Sequence, residues 1–169
     1  MSRRPPFIVS TEEVPETPPR SYPESNEMFA VGRPIGRAAG LIRIGLHVER
    51  VEPGRRTSWP HAEEDEKEFV YVLEGEIDAW IDGDLYRMKA GDLAAFSAGT
   101  GINHTFINNN RAEAKLLVGG ESWKPNNRCY FPLKAERRDR LAVERWAEAP
   151  ARKLGPHDAL PNAVRKQVR

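Results

Sequence analysis

Cysteine is almost absent from this sequence, since Cys129 is the single one among 169 residues. An intramolecular disulfide is therefore excluded, and the fold must be stabilised by the packing of an ordinary core. The segment around Cys129, NNRCYFPL, offers no second thiol and no histidine. We interpret Cys129 as a packing residue without a redox role.

Long apolar runs and an excess of one charge are absent as well. No stretch approaches the roughly 20 apolar residues of a bilayer-spanning helix, and the start of the chain, MSRRPPFIVS, lacks the apolar centre of a secretory signal. The formal net charge is +1, with basic residues spread among acidic ones, so no surface for nucleic acid is indicated. We expect a cytoplasmic protein that binds neither membranes nor nucleic acid.

The two ends of the chain differ from its middle. Residues 1–27 are rich in proline, which disfavours regular structure and predicts an extended arm that could dock on a neighbouring subunit. Residues 134–169 are predicted as a C-terminal extension, in which KAERRDRLAVERWAEA favours a helix that ends at Pro150. Residues 28–133 between them are predicted as a single domain.

Short strand-like segments fill the predicted domain. LIRIGLHVERV alternates apolar and polar residues as a half-buried strand does, and it ends at Pro53-Gly54. Six further segments of similar length follow, each bounded by Gly, Asp or Asn, and Asp82-Gly83 predicts a two-residue hairpin. Because no helical pattern separates these segments, we predict an all-β fold, an antiparallel sandwich or a small barrel.

Potential metal ligands are concentrated in the same region. His61 and Glu63 are separated by one residue, so they project from one face of an extended segment. Glu68 opens the next strand, and His104 lies on a third one. Side chains from several strands converge only inside a curved or closed sheet. Two imidazoles with up to two carboxylates suit one divalent ion, which could be zinc, iron, manganese or nickel.

The spacing of these residues resembles the two motifs of the cupin superfamily, G-x5-H-x-H-x3-4-E-x6-G and G-x5-P-x-G-x2-H-x3-N. Here the first motif spans residues 54–75 and the second spans residues 91–108. The four ligand positions are filled by His61, Glu63, Glu68 and His104. The resemblance implies a double-stranded β-helix, also called a jelly-roll barrel, with a metal inside, as in small stand-alone bacterial cupins of unassigned function.

The sequence also departs from the two motifs. Glu63 replaces a histidine, Ser97 replaces a proline, and the GTGIN segment lengthens the second motif by two residues before His104. Two carboxylates would neutralise a divalent ion formally, which weakens its Lewis acidity. They also shift the preference of the site towards harder ions.

Four further residues are candidates for lining a ligand pocket: His47, Trp59, Phe106 and Asn108. His47 has the strand spacing to reach a barrel interior. The two aromatic residues could wall a cavity, although aromatics on strands more often belong to a core or a subunit interface. Asn108 could orient His104 or close a turn.

These observations leave three functions open. The first is a metal-dependent enzyme, an oxygenase or an isomerase or lyase, acting on a small organic molecule in the barrel. The second is a non-catalytic module that binds a small molecule or a metal, favoured by the formally neutral ligand set. The third is a barrel that has lost its metal and keeps the four ligands as a hydrogen-bonded network. We expect a homodimer, because pairing across a two-fold axis covers exposed strand edges.

Overall fold

The computed structural model describes residues 4–18, 21, 25–122, 124–133 and 144–165. The strands are β1 (Val31–Arg33), β2 (Ile44–Val51), β3 (Ala62–Glu63), β4 (Glu68–Glu74), β5 (Glu76–Ile81), β6 (Asp84–Lys89), β7 (Leu93–Phe96), β8 (His104–Ile107), β9 (Ala114–Glu121), β10 (Arg128–Tyr130) and β11 (Glu144–Arg145). The helical elements are a 3₁₀ turn (Thr11–Glu13), α1 (Ile35–Ala38) and α2 (Asn162–Arg165). In the part of the chain that is described, no helix has the length and apolar character needed to cross a bilayer.

Two antiparallel sheets enclose the main core. One has the strand order β1-β2-β9-β4-β7 and the other has the order β6-β5-β8. The apolar cluster between them takes residues from both sheets, among them Val72 and Leu116 from the first and Ile77 and Phe106 from the second. This arrangement confirms the predicted all-β fold, a double-stranded β-helix.

The predicted hairpin at Asp82-Gly83 is confirmed. These two residues join β5 to β6, and both have positive φ, at 47° and 97°, as a tight two-residue turn requires. The C-terminal segment crosses this turn, since the Gly155 amide donates to the Asp82 carbonyl at 2.7 Å. A Cβ atom on Gly83 would lie 2.2 Å from the Gly155 nitrogen, so the crossing also requires glycine at this position.

Strand β2 has His47 and Glu49 on the same inner face as Val51, while Ile44, Leu46 and Val48 lie on its outer face. Val51 is fully buried in the core. Glu49 lies opposite Leu116 in the register with β9, and Leu116 is fully buried as well. Because alternate residues share a face, His47 also points into the barrel. Ile44 lies on the other face and is 51% exposed. The inner face of this strand therefore carries the imidazole of His47 and the carboxyl group of Glu49.

The described part of the N-terminal arm lies along the chain's own edge strand. The Thr17 amide donates to the Gly32 carbonyl of β1 at 2.8 Å, and the Arg33 guanidinium donates to the Val14 carbonyl at 2.6 Å. Glu16 forms an ion pair with Arg50 of β2 at 2.7 Å. These contacts cover an edge that would otherwise present unpaired backbone groups.

A buried arginine joins the arm, the barrel and the C-terminal segment. Arg56 is 1% exposed, and two of its nitrogens donate to the two carboxylate oxygens of Glu27 at 2.6 and 2.7 Å. A third nitrogen donates to the Ala159 carbonyl at 2.8 Å. The planar guanidinium thus satisfies three separate acceptors from distant parts of the sequence.

The C-terminal extension differs from the predicted helix. Glu144 and Arg145 form β11, which pairs in parallel with β10, so the helix prediction is wrong at these residues. The rest of that prediction, residues 134–143, lies outside the described residues. The Trp146 amide donates to the Cys129 carbonyl at 2.9 Å, and both side chains are buried. Because the apolar stripe of the predicted helix is thin, these residues gain more from backbone hydrogen bonds to the open edge of β10 than from a helix.

The pair between Arg56 and Glu27 leads to a stability prediction. Glu27→Gln leaves a buried guanidinium without its counter-charge, so the free energy of unfolding should fall by about 2–3 kcal/mol, measured by urea denaturation. The control is Glu74→Gln, which removes the ion pair with Lys115 on the surface and should change stability little. Equal losses in the two variants would contradict this account of Arg56.

Candidate metal centre

Two histidines that are far apart in the sequence are adjacent in the fold. An antiparallel backbone bridge joins His61 to His104, in which the His61 amide donates to the His104 carbonyl at 3.2 Å. In the other direction, the His104 amide donates to the His61 carbonyl at 2.9 Å. The centres of the two imidazole rings are 4.9 Å apart. The bridge therefore brings the two predicted motifs together.

Backbone carbonyls set the orientation of both rings. His61 Nδ1 donates to the Trp59 carbonyl at 2.9 Å, and His104 Nδ1 donates to the Ile102 carbonyl at 3.3 Å. Both Nε2 atoms then face Glu68. The Oε2 atom of Glu68 lies 3.5 Å from His61 Nε2 and 3.2 Å from His104 Nε2. An imidazole fixed through Nδ1 in this way presents Nε2 as a ligand.

The three facing atoms have the spacing of ligands to one ion. One atom each from His61, Glu68 and His104 lies within 4.8 Å of the others. Ligands bound at about 2.1 Å to a common metal are about 3 to 3.5 Å apart, which is the separation found between Glu68 and each histidine. The Glu68 side chain is 29% exposed, so the site is open to small molecules. The donor set and its geometry fit a divalent metal ion.

Glu63 lies beside this group, held by two donors of its own. Its Oε1 is 3.7 Å from His61 Nε2. Its Oε2 accepts hydrogen bonds from Asn127 at 2.5 Å and from the Cys129 thiol at 2.9 Å. Burial and the charge of Glu63 raise the pKa of Cys129, so the thiol keeps its proton and remains a donor. These contacts direct one oxygen of Glu63 towards the two histidines.

The charges of the site stabilise one another. Burial disfavours a charged His61, but the hydrogen bond and charge of Glu68, together with the charge of Glu63, outweigh it and raise the pKa of His61 to about 9. Burial likewise opposes ionisation of Glu68, yet its hydrogen bonds to His104 and His61 hold the pKa of this carboxyl well below its usual range. The metal-free site is therefore an imidazolium and carboxylate pair near neutral pH.

Phe96 fixes the plane of one imidazole and was not anticipated from the sequence. Its ring stacks on His104 with 3.6 Å between ring centres and 6° between the planes. Phe96 lies opposite Glu68 in the register of β4 with β7. Asn127, the donor to Glu63, was missed as well. Neither contact has a signal in the motif spacing, since both depend on which strands pair.

The structure brings two of the four pocket candidates to the inner side of the barrel. His47 lies on the inner face of β2. Phe106 is buried in the core, with its ring edge-on to His104 at 6.5 Å between centres. Phe106 therefore lies beside His104, and His47 shares the barrel interior with it.

The other two pocket candidates have structural contacts. Trp59 is buried in a separate cluster with Phe29, and its indole donates to Glu27 at 3.3 Å. The Asn108 amide donates to the carbonyls of Val51 and Ala112 at 2.7 and 2.8 Å. Asn108 therefore closes the turn that follows β8, which is the second of the two roles considered for it.

Comparison with known structures gives relatives with the same fold. A sugar phosphate isomerase of the cupin superfamily from Silicibacter pomeroyi is 29% identical, with a TM-score of 0.67 over 73% of this chain and 80% of that one. A putative sugar phosphate isomerase from Acidithiobacillus ferrooxidans is 22% identical, with a TM-score of 0.66 over 75% and 81% of the two chains. The polyketide cyclase RemF from Streptomyces resistomycificus is 19% identical, with a TM-score of 0.57 over 84% and 95%.

Comparison at the level of sequence agrees with the fold. Searching curated proteins gives no significant match. Residues 47–120, which run from β2 to β9 and contain all four ligand candidates, match the cupin domain family. The match over these residues, together with the shared double-stranded β-helix, shows a cupin domain that runs from β2 to β9.

Proposed function

We propose that the barrel binds one divalent metal ion through His61, Glu68 and His104, with Glu63 as an additional carboxylate. The observation that carries this proposal is the orientation of both imidazoles, whose Nε2 atoms are turned towards one oxygen of Glu68 by backbone carbonyls. A purely structural hydrogen bond to Glu68 would need one such imidazole, whereas a metal site needs both.

We further propose that the metal-bound protein is an enzyme acting on a small hydroxy carbonyl compound, as an isomerase or lyase. A bound metal would supply a Lewis acid that polarises a carbonyl or hydroxyl oxygen of the substrate. Backbone carbonyls hold the imidazoles in one tautomer, Asn127 orients Glu63, and Phe96 and Phe106 provide an apolar wall beside His104. The similarity to the isomerase from Silicibacter pomeroyi supports this choice over an oxygenase.

Two observations keep non-catalytic functions as alternatives. Two carboxylates reduce the Lewis acidity of a bound ion, which favours a module that binds a metal or small molecule without chemistry. In addition, His61 and Glu68 satisfy each other as a charged pair without any metal, which fits a barrel that has lost its ion. Metal content and turnover together distinguish the three functions.

The metal site is tested by elemental analysis of protein purified without a chelator or a histidine tag. We expect close to one divalent ion per chain, and its loss in His104→Ala and Glu68→Gln, because each removes one of only three close ligands. Glu74→Gln is the control with the same charge change outside the barrel. A wild type that stays metal-free after incubation with iron(II), manganese, nickel and zinc would contradict the proposal.

The enzymatic function is tested with the metal-loaded protein and a panel of aldoses, ketoses and smaller hydroxy ketones, followed by NMR. We expect interconversion or cleavage of at least one compound by the wild type and none by His104→Ala. Tight retention of a compound without chemical change would instead support the binding module. Metal binding without either result would remove the support for catalysis.

Metal binding should release about one proton per chain near pH 7, because His61, with a pKa of about 9, must become neutral to act as a ligand. Apparent affinity should therefore rise about tenfold per pH unit from pH 7 towards pH 9 and level off above it. Calorimetry in two buffers with different ionisation enthalpies measures the proton count. Binding without proton release at pH 7 would contradict the charge state derived for the site.

We also propose that the protein is a homodimer formed through the outer face of the larger sheet. This face presents exposed apolar side chains from three of its five strands: Ile44, Tyr71, Leu73 and Leu93, the last 60% exposed. An exposed apolar surface is complementary to a second copy of itself, as a two-fold interface requires.

The dimer is tested by light scattering coupled to size-exclusion chromatography. We expect a mass of twice the 19.1 kDa of one chain, and a single-chain mass for Leu93→Glu. Leu85→Glu is the control, since Leu85 is also exposed but lies on the smaller sheet. A wild-type mass of one chain at micromolar concentration would contradict the proposal.

A further inference from the structure

Glu49 is an acidic residue inside the barrel that the metal site does not use. It lies on the inner face of β2, two residues from the fully buried Val51 and opposite Leu116. Its side chain crosses Gly32 of β1, where an added Cβ would come within 3.4 Å of Glu49 Cγ. The absence of a side chain on Gly32 leaves room for the carboxyl group.

No hydrogen bond or ion pair joins this carboxyl group to another of the described residues. Burial raises the pKa of Glu49 to about 7, and the charge of Glu68 acts in the same direction. The side chain is only partly shielded from solvent, so its carboxyl group is within reach of a molecule that enters the barrel. An acceptor without a partner on this inner face is available to a donor group of such a molecule.

Strands β2, β9, β4 and β7 of the same wall carry no lysine or arginine on their inner face. The basic residues of β2 and β9 that lie in its middle, Arg50 and Lys115, point outward and pair with Glu16 and Glu74. Strands β4 and β7 contain no lysine or arginine. A ligand that approaches Glu49 therefore meets a carboxyl group with no lysine or arginine beside it on the inner face of these strands.

We propose that Glu49 contacts the molecule bound at the metal and selects a group that donates a hydrogen bond, a hydroxyl or an amine, over an anionic group. This inference rests on the proposed function, because the metal at His61, Glu68 and His104 holds the other end of the molecule. A substrate of the hydroxy carbonyl class then enters with its neutral hydroxyl end, and any phosphate or carboxylate stays away from β2.

The test uses cobalt-loaded protein and two small probes that bind metals. Dihydroxyacetone is neutral and carries hydroxyl donors, whereas oxalate is a dianion without donors. Wild type, Glu49→Gln and Glu49→Leu are titrated with each probe, and the visible absorption of cobalt reports binding. Glu52→Gln is the matched control, because Glu52 follows the same strand but forms an exposed ion pair with Arg55 at 2.7 Å.

We expect both Glu49 variants to bind dihydroxyacetone about tenfold more weakly and oxalate about tenfold more tightly, with the cobalt content of the wild type. A merely structural role of Glu49 would move both probes in the same direction. Such a common shift, no shift, or loss of cobalt in the Glu49 variants would overturn this inference alone. A wild type that holds no cobalt, or binds neither probe, would overturn the proposed function together with it.

Discussion

The backbone bridge between His61 and His104 is the constraint on which the candidate metal centre depends. Its two hydrogen bonds fix the distance between segments that are more than forty residues apart. The carbonyls of Trp59 and Ile102 then fix the rotation of each ring. Since each imidazole is oriented by the backbone two residues before it, the same local geometry is used twice. Glu68 completes the group because β4 begins where the two Nε2 atoms meet.

Charged groups inside a protein raise its free energy unless other groups compensate their charge, and the residues around this site do so. The carboxylate of Glu68 compensates the charge of the His61 imidazole. Phe96 limits the movement of one ring, and Asn127 and Cys129 hold Glu63. A metal ion would replace the proton on His61 and keep the same partners, so the group is ordered before binding. Preorganisation of this type reduces the reorganisation that a bound ion or ligand demands.

Much of this arrangement is predictable from the sequence, and the remainder depends on contacts between distant residues. The alternation of apolar and polar residues predicts the strands, and Asp82-Gly83 predicts the hairpin. The spacing of His61, Glu68 and His104 predicts that these three side chains meet inside the barrel. Alternation cannot say which face of β2 turns inward, because curvature of the whole sheet decides it, and Glu49 was overlooked for this reason. The strand at Glu144–Arg145 also needs an open edge on β10 that no local pattern reveals.

The central claim, that His61, Glu68 and His104 together hold one metal ion, is tested most directly by anomalous diffraction. A crystal of the metal-loaded protein is measured at the absorption edge of the metal. We predict a single anomalous peak about 2.0 to 2.3 Å from both Nε2 atoms and from an oxygen of Glu68. A peak elsewhere on the chain, or none in crystals whose protein contains the metal by elemental analysis, would contradict the account.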